Sequence, residues 1–343
     1  MTDLIFNNNI IAIAIQNFPS SYSFGIFINL SLSSPIYREA LIQAGIFQQL
    51  FSILNDPMSL YHIQAIHLSD SLLYKLEDFD YSNFIDAYIS LFQILFSKIN
   101  TSDALLLHQL LRFIRDFIEA DQRFLLYFVN NNFYPQILSL DVTDTNCIYN
   151  IIKISDNICY YFNEGIPFLI QHNIIEYLSN TLLNSDQRIV EVSFYLLSQM
   201  IFEDNSIADL CVESSFQRIA IAKFNGESKH HLKQAAYEFL CQLMLNTTEN
   251  YYVELNGDRC IYVLLSYIYL CEEENRSDMC AVIDRFLKTR AEDEIQLVMS
   301  EMEGEDDFIE WLERGAEGND EDVAALSESL LQKLYEDPEY DDE

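Results

Sequence analysis

The stretch from Ile36 to Lys75 constrains the fold most, because it reads as three helices in succession. Ile36–Ala44 is short and amphipathic, and it stops at Gly45, a residue that adopts the left-handed conformation in which helices end. Ile46–Leu54 carries apolar side chains at helical spacing. After a proline break, a longer helix follows in which Asp70 interrupts the apolar positions. We therefore expect a unit of one short, one intermediate and one long helix.

The break between the first and second helices of this unit recurs along the chain. Taking the middle residue of each break, the spacings are 38, 49, 41, 42, 43 and 49 residues. Such regularity indicates a repeat protein whose period lies at about 40–47 residues. The breaks are Ala44-Gly45-Ile46, Ser82-Asn83-Phe84, Asn131-Asn132-Phe133, His172-Asn173-Ile174, Ser214-Ser215-Phe216, Gly257-Asp258-Arg259 and Asp306-Asp307-Phe308.

The long third helices also align with one another. Each has an apolar stripe that is interrupted by one polar residue. The last two of the six helices match this pattern less closely than the first four. We call this set the polar ladder: Asn29, Asp70, Asp116, Asn157, Gln199 and Gln242.

These patterns predict an all-α fold, a right-handed α-solenoid of about seven three-helix repeats. The predicted solenoid spans residues 1–337, with a truncated first repeat at 1–34 and a capping repeat at 292–337. Terminal repeats need a polar outer face, which the charged C-terminal segment supplies. Residues 338–343 read as an acidic, disordered tail.

The charge balance narrows the choice of partner. The formal net charge is −35, and residues 271–343 hold 26 acidic against 6 basic side chains. Nucleic acid is a poor partner, because phosphate binding draws on clusters of Lys and Arg. Basic peptides or proteins are favoured instead. No apolar run approaches the about 20 residues of a membrane span, so we expect no membrane partner.

The sequence offers no sign of catalysis. Glycine-rich phosphate loops and the HExxH, GxSxG and kinase patterns are missing. His230-His231 reads as a solvated helix start rather than a metal site, and the cysteines are scattered singly inside apolar runs. The N-terminus lacks a basic leader region. We expect a non-enzymatic protein of the cytoplasm or nucleus, without a cofactor or a metal.

The polar ladder carries the sharper functional hypothesis. In a stack of such repeats the third helices line the concave face, where amides and carboxylates at regular intervals can bind an extended peptide. Tyr195, Asp156 and Glu119 lie close to the ladder in the helical pattern and are predicted to contribute. The alternative is that ladder residues bond to the neighbouring repeat and fix the stacking.

The ladder and the C-terminal segment resemble the armadillo-repeat family over nearly the whole chain, and within it importin-α. Asn29, Asp70, Asp116 and Asn157 occupy the place of that family's groove asparagines, and the segment from Gly304 to Asp337 is similar to its final half-repeat. The resemblance implies a nuclear transport adaptor that binds basic localisation peptides.

Two features depart from that resemblance. Nothing basic precedes Arg38, where the family carries a basic importin-β-binding segment. The tryptophans that the family pairs with its groove asparagines are replaced here by Gly25, Ile66, Arg112, Lys153, Tyr195 and Glu238.

Other classes of function stay open. A regulatory subunit or chaperone cofactor would grip a folded partner over a broad surface. A structural protein would associate with itself through exposed repeat ends.

Overall fold

The structure, a computed structural model, describes residues 10–16, 18–78, 80–224, 227–289, 305–318 and 321–335. The predicted tail at 338–343 lies outside these residues, as do parts of the predicted terminal repeats at 1–34 and 292–337. Within the described residues there are helices and turns but no strand. The chain divides into two compact units, residues 1–172 (unit 1) and 173–343 (unit 2).

Unit 1 contains eleven described α-helices, with short 3-10 turns at Leu76–Asp78 and Ser82–Phe84. Its long third helices are α2, α5, α7 and α10, and each packs beside the next. The bounds are α1 Ile10–Gln16, α2 Ser21–Ser33, α3 Pro35–Gln43, α4 Ile46–Asn55, α5 His62–Leu73, α6 Ile85–Phe96, α7 Ala104–Ala120, α8 Gln122–Asn130, α9 Tyr134–Leu138, α10 Thr145–Tyr161 and α11 Gly165–Gln171.

Unit 2 repeats the same arrangement, with 3-10 turns at Ile268–Leu270 and Glu273–Asn275. The third helices α13, α16, α19 and α21 pack in sequence order. The described helices are α12 Ile174–Thr181, α13 Gln187–Glu203, α14 Ser206–Glu213, α15 Phe216–Phe224, α16 His230–Asn246, α17 Glu249–Gly257, α18 Cys260–Ser266, α19 Arg276–Thr289, α20 Glu305–Ala316 and α21 Glu321–Tyr335.

The predicted breaks are backbone turns built on a left-handed residue. This residue joins the first helix of a repeat to the second, and its φ is +94° at Gly45 and between +58° and +66° at Asn132, Asn173, Ser215 and Arg259. The left-handed conformation costs a non-glycine residue about 1–2 kcal/mol, so the turn is imposed by packing of the flanking helices.

Three predicted breaks differ from this pattern. At Ser82–Phe84 the chain makes a 3-10 turn instead. In the sixth break the left-handed residue is Arg259, one position after the predicted Asp258. The last break, at Asp306, falls in the first turn of α20.

Aspartate caps fix where the long helices begin. The carboxylates of Asp103, Asp144 and Asp186 accept hydrogen bonds from backbone N–H groups in the first turns of α7, α10 and α13. These N–H groups have no partner inside the helix, and such a cap contributes about 1 kcal/mol. The caps set the start of these three helices and hence which side chains reach their exposed faces.

Two arginines, of which Arg38 is buried, bind the C-terminal ends of third helices. Arg38 of α3 is 1% exposed, and its guanidinium donates to the carbonyl oxygens of Ser31 and Lys75 at 3.2 and 2.8 Å. In unit 2, Arg285 donates to the carbonyl of Met244 in the last turn of α16 and to that of Thr247 just after it. A cation at a helix C-terminus is favoured by the helix dipole, so each arginine ties a third helix to its neighbour.

Gly165 marks a close approach of helices in unit 1. A Cβ atom at this position would lie 2.3 Å from the carbonyl oxygen of Ile158 in α10. Gly165→Ala is therefore expected to destabilise the protein by about 1–3 kcal/mol, because backbone must shift to admit the methyl group. The midpoint of urea unfolding, followed by circular dichroism, measures the change.

Gly25→Ala is the matched control. Gly25 lies within α2, and an added Cβ meets nothing within 4 Å. Alanine is the better helix former, so this variant is expected to gain up to about 1 kcal/mol. Equal effects of the two substitutions would contradict the close packing of α11 on α10.

Candidate functional site

The third helices of unit 1 enclose an open cleft of about 600 Å³. It lies on the face that the polar ladder was predicted to occupy, and it brings together ladder and non-ladder residues from α2, α5, α7 and the end of α10. The lining residues used below are Ile28, Leu32, His67, Asp70, Leu73, Tyr74, Lys75, Arg112, Arg115, Asp116, Glu119 and Tyr161.

Ion pairs join the ladder residues across this cleft. Arg112 Nη2 lies 2.5 Å from Asp70 Oδ2, so a cation of α7 binds a carboxylate of α5. The Nε of the same arginine is 3.8 Å from Asp116. Arg115 donates through Nε and Nη2 to Asp116 Oδ1 and through Nη1 to Asn150 of α10. The cations that the sequence places near the ladder thus neutralise its carboxylates.

Asp70 has an unusual protonation equilibrium. Its side chain is only 12% exposed, and this burial, followed by a hydrogen bond to Asp116 and repulsion from its carboxylate, raises the pKa of Asp70 to about 7. The guanidinium groups of Arg112 and Arg115 oppose the rise. Asp70 therefore takes up a proton near neutral pH, beside the carboxylate of the neighbouring third helix.

Of the other predicted residues of unit 1, Glu119 lines the cleft, whereas Asn29, Asn157 and Asp156 do not. Asn29 is exposed on α2, but that helix contributes Ile28 and Leu32 to the lining. Asn157 Nδ2 donates to the carbonyl oxygen of Arg115 at 3.5 Å, and Asp156 pairs with Lys153 at 2.6 Å.

One of the positions that correspond to the groove tryptophans of the importin-α family lies in the core. Ile66 is 1% exposed, whereas the next residue, His67, lines the cleft. The pKa of His67 lies below its usual value, chiefly because of burial and then because of Arg112.

The ladder face of unit 2 is acidic and surrounds Tyr195. This tyrosine of α13 is 36% exposed. Partial burial, followed by repulsion from Glu238, Glu191 and Glu272, raises the pKa of Tyr195 to about 12. Three carboxylates thus lie close enough to a half-exposed aromatic ring to change its protonation equilibrium.

The two ladder glutamines of unit 2 are engaged in bonds to carboxylates. Gln199 donates to Glu203 on its own helix at 3.1 Å. Gln242 of α16 donates to Asp278 of α19 at 2.9 Å and accepts a hydrogen bond from Asn246. Gln242 therefore links successive third helices, as the stacking alternative predicted.

Sequence reasoning missed several residues of these two surfaces. Glu191 precedes Tyr195 by four residues, so a helical-spacing rule applied to the ladder would have found it. Glu238, four residues before Gln242, was named only as a position corresponding to a groove tryptophan and not as a binding residue. Lys75 and Glu272 lie in turns between helices, where helical spacing gives no information.

Within the described residues, no group of three or more potential metal ligands comes together. His230 and His231 are exposed at the start of α16, as expected. Of the cysteines, Cys271 is half-buried and the others are buried. The described part of the chain also holds no helix with the length and apolar character needed to cross a membrane.

The chain matches no family model and no curated protein. Among solved structures it is similar to an engineered protein, with a TM-score of 0.71 and 13% identity over 95% of this chain and 78% of that one. A designed armadillo repeat protein gives a TM-score of 0.55 at 15% identity, covering 70% of this chain and 98% of its own.

A further designed armadillo repeat protein, solved in complex with the peptide (KR)4, gives a TM-score of 0.51 at 13% identity. It covers 76% of this chain and 98% of that one. The chain therefore has an armadillo-like, all-α repeat fold, which confirms the predicted fold class. The importin-α resemblance stays a prediction.

The raised pKa of Asp70 predicts a pH-dependent stability. The folded chain holds the Asp70 proton more tightly than the unfolded chain, whose aspartate has a pKa near 3.8. The resulting stabilisation is full below that value and is lost as the pH rises towards 7. Asp70→Asn cannot ionise, so its melting temperature relative to the wild type is expected to be higher at pH 8 than at pH 5.5.

Asp86→Asn controls for the loss of one negative charge from unit 1, because Asp86 is exposed on α6. A stability difference between Asp70→Asn and the wild type that does not change with pH would refute the raised pKa of Asp70.

Proposed function

We propose that the protein is a non-enzymatic scaffold that binds a basic, extended peptide segment of a partner protein on the ladder face of unit 2. The observation that carries this proposal is the cluster of Glu191, Glu238 and Glu272 around Tyr195. A half-exposed aromatic ring bordered by carboxylates suits the long side chains of lysine and arginine. Their alkyl stems pack on the ring while the charged ends reach the carboxylates.

Long-range electrostatics supports the same partner. The net charge of −35 attracts basic segments and accelerates their encounter with the protein. In unit 1 the carboxylates Asp70, Asp116 and Asp156 are paired with arginine or lysine, whereas in unit 2 the neutral amide of Gln234 donates to Glu238 and Glu272. A basic peptide would have to displace those pairs, so unit 2 is the better site.

The armadillo-like fold agrees with this assignment. One of the designed proteins similar to this chain was solved with the basic peptide (KR)4. A narrower form of the proposal is an importin-α-like adaptor in nuclear transport, working between cytoplasm and nucleus. The polar ladder supports that form, while the missing tryptophans weigh against a conventional adaptor.

A second candidate is a regulatory subunit or chaperone cofactor that grips a folded partner. The bonds from Gln242 to Asp278 and from Asn157 to Arg115 favour it, because amides used in stacking are not available to bind a peptide backbone. Under this alternative, Asn157→Ala changes partner binding little.

Removing one carboxylate at a time tests the basic-peptide proposal. Glu191→Gln and Glu238→Gln are each expected to weaken binding of the peptide (KR)4 about two- to fivefold, since a solvent-exposed ion pair contributes about 0.2–1 kcal/mol. Isothermal titration calorimetry at low and high salt measures the affinity, which should fall as salt rises.

Glu254→Gln is the matched control, since it removes the same charge from an exposed position on α17. Equal losses in all three variants would mean that the peptide responds to total charge alone. An absence of binding heat at either salt concentration would leave the folded-partner alternative.

A further inference from the structure

We propose that the unit 1 cleft is a separate binding site for a carboxylate carried on an apolar or aromatic group, with Arg112 and Lys75 as the cations that bind it. This site lies in the other unit from the proposed basic-peptide surface and takes the opposite charge. The proposal stands whether or not a basic peptide binds unit 2.

Arg112 retains donor capacity towards the cleft. Its side chain is 44% exposed, and its bond to Asp70 uses Nη2 alone. Nη1 has no hydrogen-bond partner among the residues that the structure describes. A guanidinium carries five N–H donors in a planar fork that matches a carboxylate, so Arg112 can bind a ligand while it keeps Asp70. Arg115, by contrast, is held by Asp116 and Asn150.

Lys75 supplies the second cation. Its ammonium lies 5.6 Å from the centre of the Tyr74 ring and forms no ion pair within the described part of the chain. Its backbone is fixed, because the carbonyl oxygen accepts a hydrogen bond from the buried Arg38. The residue has φ of +46°, which turns the chain at the end of α5 and places Lys75 in the cleft lining.

The walls of the cleft favour an apolar ligand body. Leu32, Tyr74 and Tyr161 line it, yet they are 45%, 47% and 44% exposed. Covering such surface yields about 25 cal/mol for each Å² removed from water. An anion without an apolar part would leave these side chains in contact with solvent.

Carboxylates within the cleft select against a more highly charged ligand. Asp70, Asp116 and Glu119 share the lining with the cations, so a doubly charged phosphate meets more repulsion than a singly charged carboxylate. The chemistry of the site therefore favours a monoanionic carboxylate.

The surroundings of Asp70 link this binding to pH. Among the elements packed on α5, the neighbours α2 and α4 contain no charged residue. The third, α7, presents Arg112, Arg115 and Asp116. His67, also on α5, has a lowered pKa. Lys75 follows the end of α5, and the guanidinium of Arg38 donates to its carbonyl oxygen. As the pH falls from 8 to 6, Asp70 takes up a proton and competes less for Arg112, so the carboxylate binds more tightly.

Methyl NMR on the full chain, with labelled isoleucine and leucine, tests the site with 3-phenylpropionate as the probe. We expect the probe to shift the methyl signals of Ile28, Leu32 and Leu73, more strongly at pH 6 than at pH 8. The amide of the same acid, which has the same apolar body without the charge, is expected to shift them little.

Variants identify the residues responsible. Arg112→Gln is expected to weaken binding about tenfold, as for loss of a hydrogen bond to a charged group, and Lys75→Gln, at an exposed turn, should weaken it less. Asp70→Asn mimics the protonated carboxyl and should bind at pH 8 as the wild type does at pH 6. Methyl spectra without probe show whether each variant is folded.

A blocked peptide, Gly-Ser-Phe-Glu-Phe-Ser-Gly, distinguishes the source of the carboxylate. Tighter binding of the peptide than of 3-phenylpropionate assigns the site to an acidic side chain of a partner protein, and the reverse order assigns it to a small carboxylic acid. Equal shifts by acid and amide, or unchanged binding in both Arg112→Gln and Lys75→Gln, would overturn the proposal.

Discussion

The side-by-side packing of the long third helices governs everything else in both units. Each of these helices buries an apolar face against the other helices of its repeat and touches a third helix on either side, where the unit provides one. Only a narrow stripe of each helix then remains exposed. Side chains on adjacent stripes lie within reach of one another although about 40 residues separate them in the sequence, as Arg112 and Asp70 do. The exposed stripes therefore act as one continuous surface whose charges must be balanced locally.

The two units balance those charges differently. In unit 1, arginines of α7 lie between the carboxylates of α5 and α7, so that the surface is mixed in charge and interrupted by a cleft. In unit 2, burial of Tyr195 and then repulsion from Glu238, Glu191 and Glu272 raise the pKa of Tyr195, so its ring lies among carboxylates. A repeat architecture thus carries two surfaces of different chemistry on equivalent helices. This difference is the physical basis for assigning ligands of opposite charge to them.

The sequence predicts the repeat well because its signals are local. Spacing of the breaks and apolar periodicity located the third helices within a few residues of α2, α5, α7, α10, α13 and α16. Asn132 and Asn173 tolerate left-handed backbone, so their turns could be read from residue type, whereas Ser215 and Arg259 adopt it only because the helices on either side demand it. The site is harder to predict. Whether a ladder position faces the cleft, as Asp70 does, or lies beside it, as Asn29 does, depends on the rotation of each helix.

The same rotation explains why Asp70 binds a proton near neutral pH. Placing like charges at equivalent positions of neighbouring helices brings Asp70 and Asp116 into hydrogen-bonding contact, and burial removes the water that would separate their charges. Arg112 and Arg115 of α7 pair with these carboxylates, but their attraction does not offset the burial of Asp70 and its repulsion from Asp116. A proton supplies the remaining compensation. A ladder of ionisable residues therefore becomes sensitive to pH wherever adjacent helices carry the same charge and one of the two side chains is buried.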